Sequence, residues 1–376
     1  MVRVLDLYCG MGGLSLGFAL ALRSDITGLD IDKWAIETYN LNLARFGCRA
    51  IVQDIFKWEA NGDFDIIIGG SPCQPFSVAN ITKRGEDHPL FPTLPKFYDV
   101  VSTLKPEAFV MENVKGLITK TSIHYLTQQL SKVQDYRIKQ AILNAADYGV
   151  PQKRERLIIV GIRKDLSVDF EFPKPTHTRK EKAKENANLN KWVTLREAIG
   201  DIMYGHPINW KELTQTLDRK QEEKNLGKTI LLLNSNGEIV EKPWTRYQEK
   251  HPPLNLDRPA RTLLSHISSS YREFLIPIMN HAKVGYIYRK LTVRECLRIQ
   301  SFPDWWKFPE KCSVSKRYKL VGEAVPPILA YRLAEALWQA LGLEVKSVTK
   351  EDFLLPYFDR VFYWRTLDEL LSKYHI

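Results

Sequence analysis

From the first residues to about residue 170 the chain alternates short apolar runs with amphipathic stretches, and the two periods predict strands and helices in turn. Val2 to Leu7, Ile26 to Leu29, a stretch beginning at Ala50, Phe64 to Ile68, Ala108 to Met111 and Leu157 to Ile162 read as buried strands. Leu14, Leu16, Phe18, Leu20 and Leu22 mark a helix-like stretch after the first of them. This rhythm predicts a doubly wound, Rossmann-like α/β domain. It stops after Phe172. Residues 173–190 are proline-bounded, charged and nearly free of large apolar side chains, the composition of a surface connection. Beyond Trp192 the pattern is β-rich: Ile230 to Leu233 and Ile239 to Lys242 flank Asn236-Gly237, a strong hairpin signal. Leu291 to Ile299 is helix-like, and Ile328 to Leu341 reads as a last amphipathic helix with proline near its first turn. The expected plan is a large α/β domain over 1–172, a linker over 173–190, a smaller β-rich domain over 191–285, a hinge over 286–316 and a segment returning to the large domain over 317–344. Residues 345–376 carry apolar and aromatic side chains at helical spacing and are expected to extend the packing without chemistry of their own.

Composition narrows the class. At 376 residues and 44% hydrophobic, the chain has the make-up of a globular protein large enough for two domains. No apolar stretch reaches the roughly 18 residues that cross a bilayer, and the chain enters a strand at once, so neither membrane span nor secretory leader is expected. The five cysteines are scattered, odd in number and without a C-x-x-C pair. That argues for a reducing compartment and against a structural zinc site, and no metal is expected. Lys and Arg outnumber Asp and Glu by 54 to 44, a net charge of +10 that is compatible with a polyanionic partner. Trp244, Arg246, Tyr247, Arg258, Arg261, His266, Tyr271 and Arg272 interleave aromatic and basic character, as a surface touching phosphates would, or as the rim of an ordinary small domain.

Candidate chemistry gathers at the predicted strand ends. Cys73 follows a buried strand within Gly69-Gly70-Ser71-Pro72-Cys73-Gln74-Pro75-Phe76-Ser77. Pro72 fixes φ before the thiol and Pro75 restricts Gln74, so the turn has few conformations and a nucleophile there loses little entropy. The plainer alternative is a small buried hydrophobe. Gly10, Gly12 and Gly13 open the first helix, and Asp30 ends the second strand 20 residues after Gly10, a spacing suited to a ribose. Either a dinucleotide or S-adenosylmethionine fits that geometry, although the third glycine of the dinucleotide fingerprint is missing. Asp54 suits an adenine edge or a simple turn. Glu112 is a candidate acid at a buried strand end, or a cap for the next helix. Along Gln152 to Arg156 an extended backbone puts Gln152, Arg154 and Arg156 on one side and Lys153 and Glu155 on the other, which makes either an anion site or a solvated charge run.

Taken in order, Asp6-Leu-Tyr-Cys-Gly10-Met-Gly12-Gly13, Gly70-Ser-Pro-Cys73-Gln-Pro-Phe-Ser77, Glu112-Asn113-Val114, Gln152-Lys-Arg154-Glu-Arg156, Arg258-Pro259-Ala-Arg261-Thr262 and Gly322-Glu-Ala-Val-Pro326 resemble the motif set of the cytosine-5 DNA methyltransferases. The resemblance covers about residues 1–163 and 256–340 and fails between them. It implies a Rossmann-like methyltransferase domain holding S-adenosylmethionine and a smaller target recognition domain reading duplex DNA. It further implies methyl transfer to carbon 5 of a flipped cytosine, with Cys73 adding to the ring, Glu112 donating to ring nitrogen 3, and Arg154 and Arg156 fixing the base and its phosphate or orienting Glu112. Tyr8, Gly10, Met11 and Gly13 would lie against the cofactor, Asp30 on its ribose, Ile31, Asp54 and Ile55 near its adenine, and Pro72 near its methyl end; Asn113 would support the loop. The family pattern usually has phenylalanine at Tyr8, glutamate at Asp30, an aromatic at Ile31 and asparagine at Glu323. A restriction endonuclease acting on the same site is a candidate partner, and a monomer in the cytoplasm or nucleoid, or the nucleus of a eukaryote, is expected. Transfer RNA methylation, a silent DNA-binding regulator on the same fold, and a nicotinamide dehydrogenase are the alternatives.

Overall fold

A computed structural model of the chain describes residues 1–22, 24–76, 88–120, 122–179, 181, 188–203, 229–234, 238–243, 252–267, 274–281, 285–359 and 361. Ser77, the hairpin residues Asn236 and Gly237, the ring and cation positions Trp244, Arg246, Tyr247, Tyr271 and Arg272, and the terminal aromatics from Phe362 onward lie outside those residues.

The large unit is a seven-stranded sheet with helices on both faces. In chain order it runs β1 (Arg3–Leu7), α1 (Gly13–Ala21), β2 (Asp25–Asp30), α2 (Lys33–Leu43), β3 (Arg49–Val52), β4 (Ile66–Gly70), α3 (Thr93–Leu104), β5 (Ala108–Asn113), α4 (Ile123–Leu130), β6 (Tyr136–Asn144), the two-residue β7 (Gln152–Lys153) and β8 (Glu155–Arg163). Strand order is β3-β2-β1-β4-β5-β8-β6. The first five strands are parallel, whereas β8 runs antiparallel to both β5 and β6. Alternation along the strands feeds two cores: Val4, Ile66, Ile68 and Val110 face one side, and Leu5, Leu7, Ile67, Phe109 and Met111 the other. β6 has no counterpart among the predicted strands. It is an edge strand whose Arg137, Lys139 and Gln140 interrupt any apolar run, so the period that exposes buried strands is absent there.

A further strand pair, β9 (His177–Thr178) with β10 (Asn190–Lys191), closes the segment after the large sheet, and α5 (Leu195–Ile199) follows behind a Thr194/Glu197 capping box. The smaller sheet holds β11 (Thr229–Leu233), β12 (Ile239–Pro243), β14 (Leu275–His281) and β15 (Gly285–Lys290), in the order β12-β11-β15-β14; β13 (Ala260–Arg261) pairs instead with β7. β11 and β12 are antiparallel with Leu233 opposite Ile239, as the hairpin signal predicts. β15 carries the small sheet to Lys290, beyond the expected boundary at 285, because its residues pair with both β11 and β14 rather than forming a hinge. The chain then returns through α6 (Val293–Ile299), α7 (Val314–Glu323), α8 (Pro327–Ala340) and the single turn α9 (Lys350–Phe353). α8 lies directly on α1: a Cβ at Gly17 would stand 2.4 Å from Ala330 Cβ, and Phe18 meets Trp338 edge to face at 5.6 Å. The terminal extension departs from its helical expectation at Leu354, whose positive φ ends α9, while Phe353, Leu355, Tyr357 and Phe358 are all buried. Among the described residues no helix is long and apolar enough to cross a membrane, and no cluster of ligating side chains suits a metal.

Candidate active site

Strand order reverses between β1 and β4, and in open α/β sheets the loops that part at such a point leave a crevice. The loop after β1 contains three positive φ angles, at Tyr8 (60°), Gly10 (53°) and Gly12 (95°). Glycine is required for contact at two positions: a Cβ at Gly12 would stand 2.5 Å from Leu43 Cδ1, and one at Gly13 would stand 2.1 Å from the Val325 carbonyl oxygen. A Cβ at Gly10 would meet nothing within 4 Å, so this glycine borders open space. The loop is held from below by Asp6, whose Oδ2 accepts from Ser15 Oγ at 2.5 Å, while Tyr39 donates to Ser15 at 2.9 Å. Burial pushes the Asp6 carboxyl up to about 7.

The remaining crevice residues meet around Asp30. Its Oδ2 accepts from the Gly10 N–H at 2.9 Å and its Oδ1 from the Asp32 N–H at 2.8 Å, while burial raises its pKa against those donors. Asp32 caps α2 through the N–H groups of Trp34 and Ala35, and its other oxygen pairs with Lys316 of α7. Ile31 is 69% exposed beside this edge. Asp54 Oδ1 accepts from the Phe56 N–H at 3.0 Å, Ile55 is buried, and the Tyr8 hydroxyl donates to the Thr93 carbonyl at 2.7 Å. The Met11 side chain belongs to the core rather than to the crevice.

Cys73 lies beyond β4, half-buried, in a turn closed by the Phe76 N–H donating to its carbonyl at 3.0 Å. Pairing of β4 with β5 sets Gly70 beside Glu112, and antiparallel β8 returns its first residues to the same edge. Arg156 Nε therefore meets Glu112 Oε1 at 2.8 Å, with both side chains nearly buried. The absence of a Cβ at Gly70 leaves room for Glu112 Oε2, which would be only 3.1 Å from one. Asn113 donates to the Ser71 carbonyl and hydroxyl at 3.1 and 2.9 Å, tying the ends of β4 and β5 together. Burial raises the Cys73 pKa; Arg156 opposes this and Glu112 adds to it, while Arg154 lowers it and Glu323 raises it by less.

Arg154 is tied to two distant backbone segments. It is buried, with Nη1 donating to the Leu263 carbonyl at 3.3 Å and Nη2 to the Gly322 carbonyl at 3.1 Å, while its buried Nε has no hydrogen-bond partner. Beside it Gln152 donates to Gln300 Oε1 at 2.8 Å and accepts from the Leu263 N–H at 2.9 Å, and Gln300 donates to the Val321 carbonyl at 2.7 Å. The alternation along Gln152 to Arg156 is thus as the extended backbone predicts, with Lys153 and Glu155 outside. Gln300 and Lys316 are the residues that sequence reasoning passes over. A glutamine closing a helix that carries Arg294, Glu295 and Arg298 has no local mark of burial, and Lys316 acquires meaning only once α7 is laid against α2.

The Cys73 turn, the Arg156-held Glu112 and the glycine-bordered crevice thus gather at one switch point of a Rossmann-like sheet. The chain matches the family described as C-5 cytosine-specific DNA methylase over residues 2–339. It is 31% identical to the type II methyltransferase M.FnuDI of Fusobacterium nucleatum, covering 93% of this chain and 98% of that one. With the type II methyltransferase M.MthTI of Methanothermobacter thermautotrophicus it shares 33% identity over 89% of this chain and 96% of that one. Among solved folds, the Dnmt2 methyltransferase of S. pombe superposes with a TM-score of 0.63 at 17% identity, covering 91% of this chain and 99% of that one. A putative DNA modification methyltransferase encoded within an E. coli prophage gives 0.61 at 21%, covering 91% and 100%. The chain belongs to the C-5 cytosine-specific DNA methylase family and is a DNA (cytosine-5-)-methyltransferase.

Proposed function

We propose that the chain methylates carbon 5 of a cytosine flipped out of a specific duplex DNA sequence, through a transient Cys73 adduct and with S-adenosylmethionine as donor. The observation that carries this reading is the Glu112–Arg156 pair at 2.8 Å, at the end of β5, whose neighbour β4 leads into the Cys73 turn. The crevice residues fit the donor: Gly10 borders free space, Asp30 offers a half-buried carboxylate for ribose hydroxyls, and Ile31 offers an exposed apolar side chain for a base. Bound there, S-adenosylmethionine supplies an electrophilic methyl group.

Cytosine carbon 5 is a poor nucleophile until the ring's conjugation is broken. The Cys73 thiolate adds to carbon 6, forming a C–S bond and moving the ring electrons toward carbon 5 and nitrogen 3. Arg156 fixes Glu112 Oε1, so that Oε2 in its acid form donates to nitrogen 3 and disperses the developing negative charge. After methylation, loss of the carbon-5 proton to a base restores the double bond and expels Cys73 as thiolate. A base inside a duplex is out of reach of this thiol, so extrusion precedes addition. The type II relatives also suggest a companion restriction endonuclease whose site this activity would protect.

Radiolabelled S-adenosylmethionine supplied with duplex DNA or with transfer RNA tests the reading. Label should enter DNA, and Cys73→Ala should lower incorporation by about 10³-fold or more while leaving thermal stability near that of wild type. Label on RNA alone would refute the substrate, and equal DNA labelling by the variant would refute the adduct.

A further inference from the structure

Glu323 is the last residue of α7 and has no part in the chemistry derived above. The backbone around it is fixed from three sides: the Gly322 carbonyl accepts from Arg154, the Ala324 carbonyl accepts from Gln300 at 3.3 Å, and the Val325 carbonyl crowds Gly13 at the glycine loop. Lys316, Lys319 and Glu323 recur at helical spacing, and Lys316 reaches Asp32, whose N–H in turn holds Asp30. The α7 face that carries Glu323 therefore lies along the crevice edge. Burial raises the Glu323 pKa, Lys319 and Lys316 oppose this, and Asp32 and Asp30 add to it, while Glu323 in turn raises the Cys73 pKa slightly. Three carboxylates (Asp30, Asp32, Glu323) and two ammonium groups (Lys316, Lys319) lie along this edge, and the Arg154 guanidinium reaches it at the Gly322 carbonyl. Lys316 is engaged by Asp32, and Lys319 stands 3.9 Å from Glu323 with nearly half of its side chain in solvent. Glu323 is itself 40% exposed by side chain, with Lys319 as its ion-pair partner.

We propose that Glu323 is a specificity-determining residue that makes the crevice favour the cationic methyl donor over its neutral spent product. Donor and product share the adenosine and amino-acid parts and differ in the methyl group and the positive charge that sulfur carries with it. A carboxylate at this edge attracts the sulfonium and gains nothing from the thioether, so it raises donor affinity relative to product affinity. The inference rests on reading the crevice as an S-adenosylmethionine site.

Calorimetric titration of the full chain without DNA, using S-adenosylmethionine and S-adenosylhomocysteine separately, tests it. Glu323→Gln should lower the product-to-donor Kd ratio on the order of three- to tenfold, the range expected of one partly solvated charge pair. Glu323→Asp should keep most of the discrimination. Lys319→Ala, which removes the competing cation, should move the ratio the opposite way. If both ligands bind and Glu323→Gln leaves their ratio unchanged, or if Lys319→Ala shifts it in the same direction, the inference is overturned. If neither ligand binds wild type, the cofactor reading fails and takes the inference with it.

Discussion

Arg156 and Gln152 enter the site along one short stretch of backbone, and the two groups they anchor are built on opposite plans. Around Arg156 the Cys73 thiol is half-buried, and Glu112 keeps one oxygen beyond its ion pair. Around Gln152 each amide hydrogen and oxygen is used: Gln152 donates to Gln300 and to the Ile299 carbonyl, accepts from Leu263, and Gln300 donates to Val321 and Ala324. A group that must react keeps capacity in reserve. A group that ties distant segments together spends its amide capacity, because an unused buried donor or acceptor is costly.

Of the two anchoring residues, Arg156 should have the larger effect when removed. Arg156→Ala leaves Glu112 without its positioning cation, and kcat/KM for DNA methylation should fall about 10²-fold, or about 2.7 kcal/mol in the barrier. A loss below about threefold would show that the ion pair does not prepare the acid. Next comes the amide hub. Gln300→Leu strands the Gln152 amide and the Val321 carbonyl, so urea denaturation should show about 2–3 kcal/mol of lost stability. Unaltered stability would mean that water or neighbouring groups take over these bonds and that the hub holds nothing. The smallest effect separates the regions by titration. Because burial outweighs Arg156 at Cys73, the thiol pKa is raised, and iodoacetamide labelling should climb about tenfold per pH unit through neutrality and keep climbing past the usual thiol range. The other four cysteines are buried, so peptide mapping should find the label chiefly on Cys73. A plateau below neutral pH would instead indicate a thiolate already stabilised in the free enzyme.

These regions also differ in how far the sequence reveals them. The Cys73 turn, Glu112 and the alternation through Arg156 are legible because each lies at the end of a strong apolar run, where strand period and punctuation agree. The parallel core strands are legible for the same reason. β6 is not, since an edge strand needs no continuous apolar face, and the boundary at Lys290 is not, since it depends on β15 finding two partners distant in sequence. Arg154 shows the limit most clearly. Its place on the inner side of the strand follows from period two, yet its partners, Leu263 and Gly322, come from segments more than 100 residues away and carry no local signal. Asp54 Oδ1 carries the local duty that sequence reasoning set beside adenine binding, accepting from the Phe56 N–H.

The seating of α8 against α1, with Ala330 pressed onto Gly17, bears on how the enzyme is made. While a ribosome is still translating the middle of the message, the apolar flank of α1 has no cover, and at about 5–20 residues per second the wait for residues 327–340 lasts roughly 15–60 s. During that interval the emerging polypeptide presents a sticky surface, which makes it a natural client for chaperones that guard nascent chains.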